Sequence, residues 1–309
     1  MDAVHTGAEQ PGGDPARPVG ALEHLRVFLL GPFAARLGAS HPLPVLHKAQ
    51  DLLALLLLAP GQAMLREAVT DTLWPEARAD ASRKLMRQAL WHVHRAADVV
   101  TDERLVLADG DALRINADRK VWLDVTTFTD AVHLAHGDHL DDDQLAALAR
   151  AADLYRGPLH VGCLDEWCMV PRARLEDQCL TLLDRLSHEH ERRRNLDAAI
   201  AWAQRVLDIE PAHERSHRRL MRLYYETGDR TRAIRQLQQC RAVLEHELGV
   251  RPDGSTESLG ASILHGEDAP VDAPAPGWDG PLAALQDQLS ALRRSVESLD
   301  SLLRHSEPR

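Results

Sequence analysis

The sequence predicts a mainly α-helical fold of two domains followed by a C-terminal helix, and three observations support this prediction. Three helical segments between residues 47 and 97 precede two alternating runs joined by an Asp-Gly turn. A set of residues in the second half of the chain recurs after 34 positions. Apolar residues near the end step alternately by three and four positions. With 309 residues, the chain is long enough for about two domains, each with its own core.

Composition narrows the class of protein. A formal net charge of −11 argues against a protein that coats nucleic acid over its whole surface, but it allows one local basic surface. Four cysteines in a chain this long do not form a disulfide scaffold and fit a reducing cytoplasm. The opening residues lack the basic start and apolar core of a signal peptide. The longest apolar run, Leu52 to Pro60, is too short to cross a bilayer. We therefore expect a cytoplasmic protein without membrane contact.

The first domain is predicted to cover residues 21–123. Residues 1–20 are rich in Gly, Pro and Asp without an apolar period, so we expect a disordered arm there. The runs LRVFLL and PFAARL, separated at Gly31-Pro32, predict two short strands. Apolar patterning then predicts helices over His47 to Leu58 and Arg66 to Leu73, each stopped by a nearby proline.

The third helix, Ala79 to Ala97, is locally cationic. Its apolar residues Met86, Leu90, Val93 and Ala97 share one face, and no acidic side chain occurs after Asp80. Arg and Lys neutralise phosphates, and Arg and Gln make two-point hydrogen bonds to base edges. The side chains that we expect to contact DNA from this helix are Arg83, Lys84, Arg87, Gln88, Trp91, His94 and Arg95. The alternative is a basic helix face that only interacts with solvent.

A β-hairpin is predicted after this helix. The runs RLVLA and ALRIN flank Asp109-Gly110-Asp111, and an Asp-Gly turn between alternating runs is a strong hairpin signal. Three helices followed by a hairpin predict a winged helix-turn-helix, whose third helix enters the major groove. Arg104 and Arg114 flank the wing and complete the predicted DNA contacts. The two aspartates oppose phosphate, so we expect the wing to add little affinity or to face a protein instead.

The second domain, residues 124–266, is predicted to be entirely α-helical. Its 34-residue period is that of tetratricopeptide repeats, in which helix pairs stack on one another. Stacked repeats form a concave surface that suits a small-molecule or protein effector. The recurring positions are Leu186, Asn195, Ala199 and Ile200, which return as Leu220, Asp229, Ala233 and Ile234.

Both domains resemble known families. The first resembles the response-regulator type of winged helix found in the antibiotic-regulatory-protein (SARP-like) family, through the segments KAQDLLALLLL, LREAVTDTLWP, LMRQALWHVHRA and VWLDVTTF. The second resembles the bacterial transcriptional activation domain, through LYRGPL, DEW, RARLEDQCLTLLDRL, PAHERSHRRLMRLYYETGDRTRAI and LEHELGVRP. Together the resemblances cover roughly Leu22 to Leu264. They imply an activator that binds direct-repeat operators in double-stranded DNA and contacts RNA polymerase. By position, Arg87, Gln88, Trp91 and Arg95 would face DNA, with Lys84 near a phosphate.

A linker followed by a coiled-coil helix is predicted after the second domain. Residues 267–281 are rich in Pro, Asp, Ala and Gly, as in a linker. Residues 282–305 carry a heptad seam, and because a lone helix of this length is marginal in water, we expect self-association as a dimer. The alternative is a helix that folds back onto its own chain. The seam consists of Leu282, Leu285, Leu289, Leu292, Val296, Leu299 and Leu303.

Clusters of cysteine, histidine and aspartate could in principle bind a metal or catalyse a reaction. Cysteines among Leu, Val and Trp are typical of small apolar fillers, and Asp141 to Asp143 is typical of an acidic first helical turn. No phosphate loop, nucleophile elbow or zinc-protease motif is present. We therefore expect no enzyme activity and no cofactor. Two alternatives stay open: a repeat scaffold or sensor whose winged helix does not bind DNA, and a metal- or haem-responsive regulator. The candidate ligands of the latter are His133, His136, His139, His160, Cys163, Cys168 and Cys179.

Overall fold

The computed structural model describes residues 25–37, 41–42, 45–59, 61–98, 103–134 and 139–266. The predicted arm, linker and coiled-coil helix, with the heptad seam from Leu282 to Leu303, lie outside these residues. The described residues fall into two compact units, one within Met1–Thr127 and Arg156–Ala173, and the other within Phe128–Tyr155 and Arg174–Arg309. This division differs from the predicted boundary at residue 124, because a later segment packs with the winged helix.

A four-stranded sheet, in the order β3-β2-β1-β7, opens the first unit. Its strands are β1 (Leu25–Phe28), β2 (Ala34–Leu37), β3 (His41–Pro42) and β7 (Val121–Leu123), with β7 parallel to β1. Strand β1 is shorter than predicted because the amides of Leu29 and Leu30 leave the ladder and donate to the buried carboxylate of Asp124, at 2.8–3.0 Å. The chain then turns at Gly31, whose φ of 114° favours glycine.

The three helices of the first unit form close to their predicted positions. They are α1 (His47–Leu57), α2 (Arg66–Leu73) and α3 (Ala79–Ala97). Helix α1 is buried from Asp51 to Leu57 on every side, so it is the central helix of this core. Helices α2 and α3 pack against it and against each other.

The predicted wing is confirmed. Strands β5 (Val106–Asp109) and β6 (Ala112–Ile115) pair antiparallel, and Asp109 faces Ala112 across the turn. Gly110 has a φ of 54°, as a two-residue hairpin turn requires. A third strand that was not predicted, β4 (Met64–Leu65), adds to the outer side of β6.

The second unit is all-α in its described residues. Its helices are α4 (Asp124–Leu134), α5 (Asp142–Leu154), α6 (Met169–Arg192), α7 (Leu196–Ile209), α8 (Glu214–Glu226), α9 (Arg230–Leu248) and α10 (Gly254–His265), and the division between units falls within α4 and α6. Asp141 caps α5 in a capping box with Gln144, which confirms the predicted acidic first turn. No described helix combines the length and apolar character that a membrane crossing needs.

The 34-residue repeat corresponds to matching structural positions. Asn195 caps α7 through the amide of Ala198, and Asp229 caps α9 through the amide of Arg232. Ala199 and Ala233 are fully buried one turn later in the two helices, where a small side chain allows close helix packing. The predicted repeat is therefore two helix pairs, α6–α7 and α8–α9.

Candidate nucleic-acid interface

Helix α3 has one buried and one exposed face. Its buried positions, among them Met86, Leu90 and Val93, hold it in the core of the first unit. The opposite side is exposed and is called here the basic face, made of Arg83, Lys84, Arg87, Gln88, Trp91 and Arg95. These six side chains point outward, as the periodicity predicted. Their contact with DNA stays a prediction.

The charges of the basic face are largely unneutralised. Among the described residues, Lys84, Arg87 and Gln88 make no side-chain hydrogen bond or ion pair. Arg83 lies 3.8 Å from Asp80, but both side chains are strongly exposed, and exposed pairs of this kind contribute little. The cations are therefore available to an external anion.

Trp91 and Arg95 form a stacked pair on this face. The Trp91 side chain is 52% exposed, which is high for so large an apolar group. The Arg95 guanidinium lies 5.1 Å from the centroid of the Trp91 ring, within cation–π range. Because Arg95 is exposed beside this ring, its guanidinium is accessible to an external partner.

His94 differs from its prediction. Its side chain is only 23% exposed, and Nδ1 lies 2.7 Å from the Asp98 Oδ2 one turn later. The i, i+4 spacing turns the ring towards the end of the helix rather than out with the basic face. His94 is therefore a local partner of Asp98, and the structure does not place it with the other predicted contacts.

A buried arginine joins the end of α3 to the base of the wing. Arg119 donates through Nη2 to the Ala97 carbonyl, at 3.0 Å, and through Nη1 to the Glu103 carbonyl. Its Nη1 also lies 3.5 Å from Asp98, whose carboxylate accepts from the Leu105 amide at 3.0 Å. Arg119 thus fixes α3 relative to β5. Sequence reasoning missed it, since a single arginine in the loop NADRK carries no pattern.

The wing carries charges of both signs. Arg104 is exposed at its base, whereas Arg114 is half-buried opposite Leu107 in the ladder. Asp109 and Asp111 are exposed at the tip. The acidic tip that the sequence predicted is therefore on the surface.

The candidate metal ligands do not all come together. His160, Cys163 and Cys168 are buried in the first unit, where burial raises the pKa of the Cys163 thiol to about 12. Cys179 lies in the second unit, also buried, with its pKa raised to about 12. His133 and His139 are exposed, and His136 is outside the described residues. Asp51 of α1, which sequence reasoning did not consider, joins His160 at 2.8 Å.

Comparisons with known proteins agree with this architecture. Residues 123–264 match the family model of the bacterial transcriptional activator domain. Regulatory protein AfsR of Streptomyces coelicolor is 24% identical over 249 residues, which are 79% of this chain and 25% of that protein. Transcriptional regulatory protein MoaR1 of Mycobacterium tuberculosis is 25% identical over 245 residues, which are 76% of this chain and 78% of that protein. The chain therefore spans about a quarter of one relative and about three quarters of the other.

A solved structure shares the fold. Mycobacterium tuberculosis EmbR, in complex with a low-affinity phosphopeptide, superposes with a TM-score of 0.62 at 19% identity, over 89% of this chain and 71% of that one. The likeness extends over both units. The chain thus carries a bacterial transcriptional activator domain behind a winged helix, a combination that supports a transcriptional regulator of the antibiotic-regulatory-protein (SARP-like) type.

Proposed function

We propose that the chain is a sequence-specific DNA-binding regulator, an activator in the manner of its family, that inserts α3 into the major groove. The observation that carries this proposal is the basic face, where Arg83, Lys84, Arg87 and Arg95 are all exposed on one side of one helix. Because the opposite face of the helix is held in the core, these cations can contact a DNA duplex without any unfolding of the domain. The proposed role is binding rather than catalysis.

The side chains divide into two roles. Arg87 and Gln88, near the middle of the exposed face and without internal partners, are proposed to read base edges, since both can make two-point hydrogen bonds. Lys84 and Arg83, nearer the helix start, are proposed to contact phosphates, which fix register but carry no sequence information. Arg95 is proposed to contact a phosphate or base from its position beside Trp91.

The salt dependence of binding gives a quantitative expectation. Each phosphate neutralised contributes about −0.9 to the slope of log K against log salt concentration. If Arg83, Lys84 and Arg95 each contact one phosphate while Arg87 reads a base, the slope is about −2.7. The acidic wing tip and the net charge of −11 oppose non-specific binding, so affinity is expected to depend strongly on sequence.

The test is a double substitution, Arg87→Ala with Arg95→Ala, in the full chain. Fragments bound by the wild-type protein are first selected from the source genome and then titrated at several salt concentrations by fluorescence anisotropy. We expect loss of specific binding and, from the lost Arg95 phosphate contact, a slope smaller in magnitude by about 0.9, with unchanged circular dichroism because both side chains are exposed. Unchanged affinity and slope would overturn the assignment.

A matched control removes the same charge elsewhere. Arg150 and Arg235 are exposed on helices of the second unit and make no side-chain hydrogen bond or ion pair among the described residues. The double variant Arg150→Ala with Arg235→Ala changes the net charge equally and should keep wild-type affinity. Equal losses in both double variants would indicate a general charge effect.

Further parts of the proposal rest on the family and on the sequence. Contact with RNA polymerase, and an effector on the repeat domain, are proposed from the activator domain over residues 123–264. Self-association through residues 282–305 would raise the effective concentration of a second winged helix on a paired site. Sedimentation of the full chain, compared with a Leu289→Asp and Leu292→Asp double variant, tests this last part.

One observation favours a second candidate. Asp109 and Asp111 are exposed at the wing tip, where a DNA-gripping wing would carry cations. A winged helix that no longer binds DNA, attached to a repeat domain that binds a protein or small molecule, would have this feature. Absence of any salt-dependent binding to duplex DNA would favour this second function.

A further inference from the structure

Three buried side chains of different chemistry meet inside the first unit. Asp51 lies in the middle of α1, and His160 and Cys163 lie in the segment between α5 and α6. One ligand atom from each, a carboxylate oxygen, an imidazole nitrogen and a thiol sulfur, lie within 4.8 Å of one another. Each residue is only 1% exposed, so all three lie in the interior of the unit.

Existing hydrogen bonds leave part of this cluster unsatisfied. His160 Nε2 lies 2.8 Å from Asp51 Oδ1, but His160 Nδ1 is buried and has no hydrogen-bond partner among the described residues. Asp51 Oδ2 faces Lys48 Nζ at 3.2 Å in ion-pair geometry, and Lys48 is also paired with Asp165 at 2.7 Å. A buried imidazole with one orphan nitrogen is unusual, because buried polar atoms nearly always have a partner.

We propose that Asp51, His160 and Cys163 form a site for a divalent cation of the zinc class. A set of one oxygen, one nitrogen and one sulfur suits Zn²⁺ or Co²⁺, whereas Mg²⁺ and Ca²⁺ prefer oxygen ligands throughout. Bond lengths of about 2.0–2.3 Å in a tetrahedral site place neighbouring ligand atoms about 3.3–3.8 Å apart. Ligand atoms that now lie up to 4.8 Å apart therefore need to approach each other by at most about 1.0–1.5 Å.

The charges of the site suit such an ion. When the metal–sulfur bond forms, the Cys163 thiol releases its proton to solvent, and the thiolate and the Asp51 carboxylate together balance a charge of 2+. The other ionisable groups around the cluster are Lys48, which pairs with Asp165, the His47 imidazole at 3.6 Å from Asp51 Oδ2, and Arg172. Three protein ligands leave the fourth position of the tetrahedron to a water molecule.

The segment that carries two of the ligands is held independently of any ion. Arg172 donates to the carbonyls of Leu159 at 2.9 Å, His160 at 3.1 Å and Cys163 at 2.7 Å. The backbone around both ligands is therefore built before a metal binds. Binding would then tie this segment directly to α1, the central helix of the winged helix.

The test uses Co²⁺ as a spectroscopic probe on the full chain, stripped with a chelator and kept reduced without thiols. We expect one equivalent of Co²⁺ to produce a thiolate-to-cobalt charge-transfer band, which one equivalent of Zn²⁺ abolishes. Cys163→Ser should remove the band. Cys240→Ser, which changes a fully buried thiol in the second unit, should keep it. Absence of the band in the wild type, or its survival in Cys163→Ser, would overturn the proposal.

A second measurement needs no variant. X-ray absorption on the zinc-loaded wild type should show one sulfur scatterer at about 2.3 Å and nitrogen or oxygen scatterers at about 2.0–2.2 Å. A shell without sulfur would place the ion elsewhere and refute the site. Neither measurement involves DNA, so their outcome is independent of the proposed DNA-binding function.

Discussion

Substitution of Arg119 by methionine tests how the basic face is positioned. Methionine keeps most of the apolar stem but removes two hydrogen bonds from a charged donor to the carbonyls of Ala97 and Glu103. Hydrogen bonds of charged groups contribute about 1.5–3 kcal/mol each, and a buried acceptor left unpaired adds to the loss. The Asp98 carboxylate still accepts a hydrogen bond from the Leu105 amide in this variant, so it is not left without a partner. We expect the first unit to lose about 3–6 kcal/mol.

Amide hydrogen exchange of the full chain localises this effect. A loss of about 3–6 kcal/mol corresponds to exchange faster by about 150- to 25,000-fold in the last turn of α3 and in the wing strands. Specific DNA affinity should fall although no DNA-facing side chain has changed. Arg66→Met is the matched control, since this half-buried arginine of the first unit is not among the predicted DNA contacts and has no side-chain hydrogen bond or ion pair among the described residues. Equal exchange rates in wild type and Arg119→Met would refute the reasoning.

Three further predictions concern the repeat unit. Asn195→Ala and Asp229→Ala each remove a helix cap and should each lower the free energy of unfolding by about 1 kcal/mol in chemical denaturation. The loss should be larger at Asp229, whose capping hydrogen bond is 2.9 Å long, than at Asn195, whose bond is 3.3 Å long. Wild-type stability in both variants would contradict the capping roles. Gly260→Ala places a Cβ 2.6 Å from Leu237 Cδ2 in the buried core. The resulting overpacking, which costs about 1–3 kcal/mol, should outweigh a helix-propensity gain of about 1 kcal/mol and lower the melting temperature. A higher melting temperature would contradict this prediction. Burial raises the pKa of Glu189, but hydrogen bonds from Arg192 and Arg193 outweigh burial and lower the pKa to about 2. The carboxylate therefore stabilises the fold above about pH 4.5, and this stabilisation is lost as pH falls towards about 2. In urea titrations, Glu189→Gln should lose less stability than the wild type between these pH values, and an equal loss would count against the ion pairs.

Local patterns predicted most of the fold. The helices α1 to α3 were predicted within a residue or two, because apolar spacing and nearby prolines mark their faces and ends. The Asp109-Gly110 turn predicted the wing, and the 34-residue period predicted the capped helix pairs around Ala199 and Ala233. The outward direction of Arg87 and Arg95 followed from the same periodicity.

Long-range contacts account for what the sequence did not predict. The segment 156–173 packs with the first unit through the Leu30–Leu159 bridge, a pairing that no local pattern contains. His94 was predicted to contact DNA from the edge of the helix face, and the structure adds a local partner, since its ring lies 2.7 Å from Asp98 at the i+4 position. Arg119 and Asp51 carry no motif, and their partners are 22 and 109 positions away in the chain.

The sequence by itself determined which residues can form an amphipathic basic helix, a hairpin and a stacked repeat, because these depend on neighbours within a few turns. Only the tertiary structure decided which cations remain unpaired on α3, which arginine fixes the end of that helix, and which three side chains meet beside α1. Those outcomes depend on chain segments that approach each other only after folding. Burial and charge neutralisation are properties of that packing, and no periodicity encodes them.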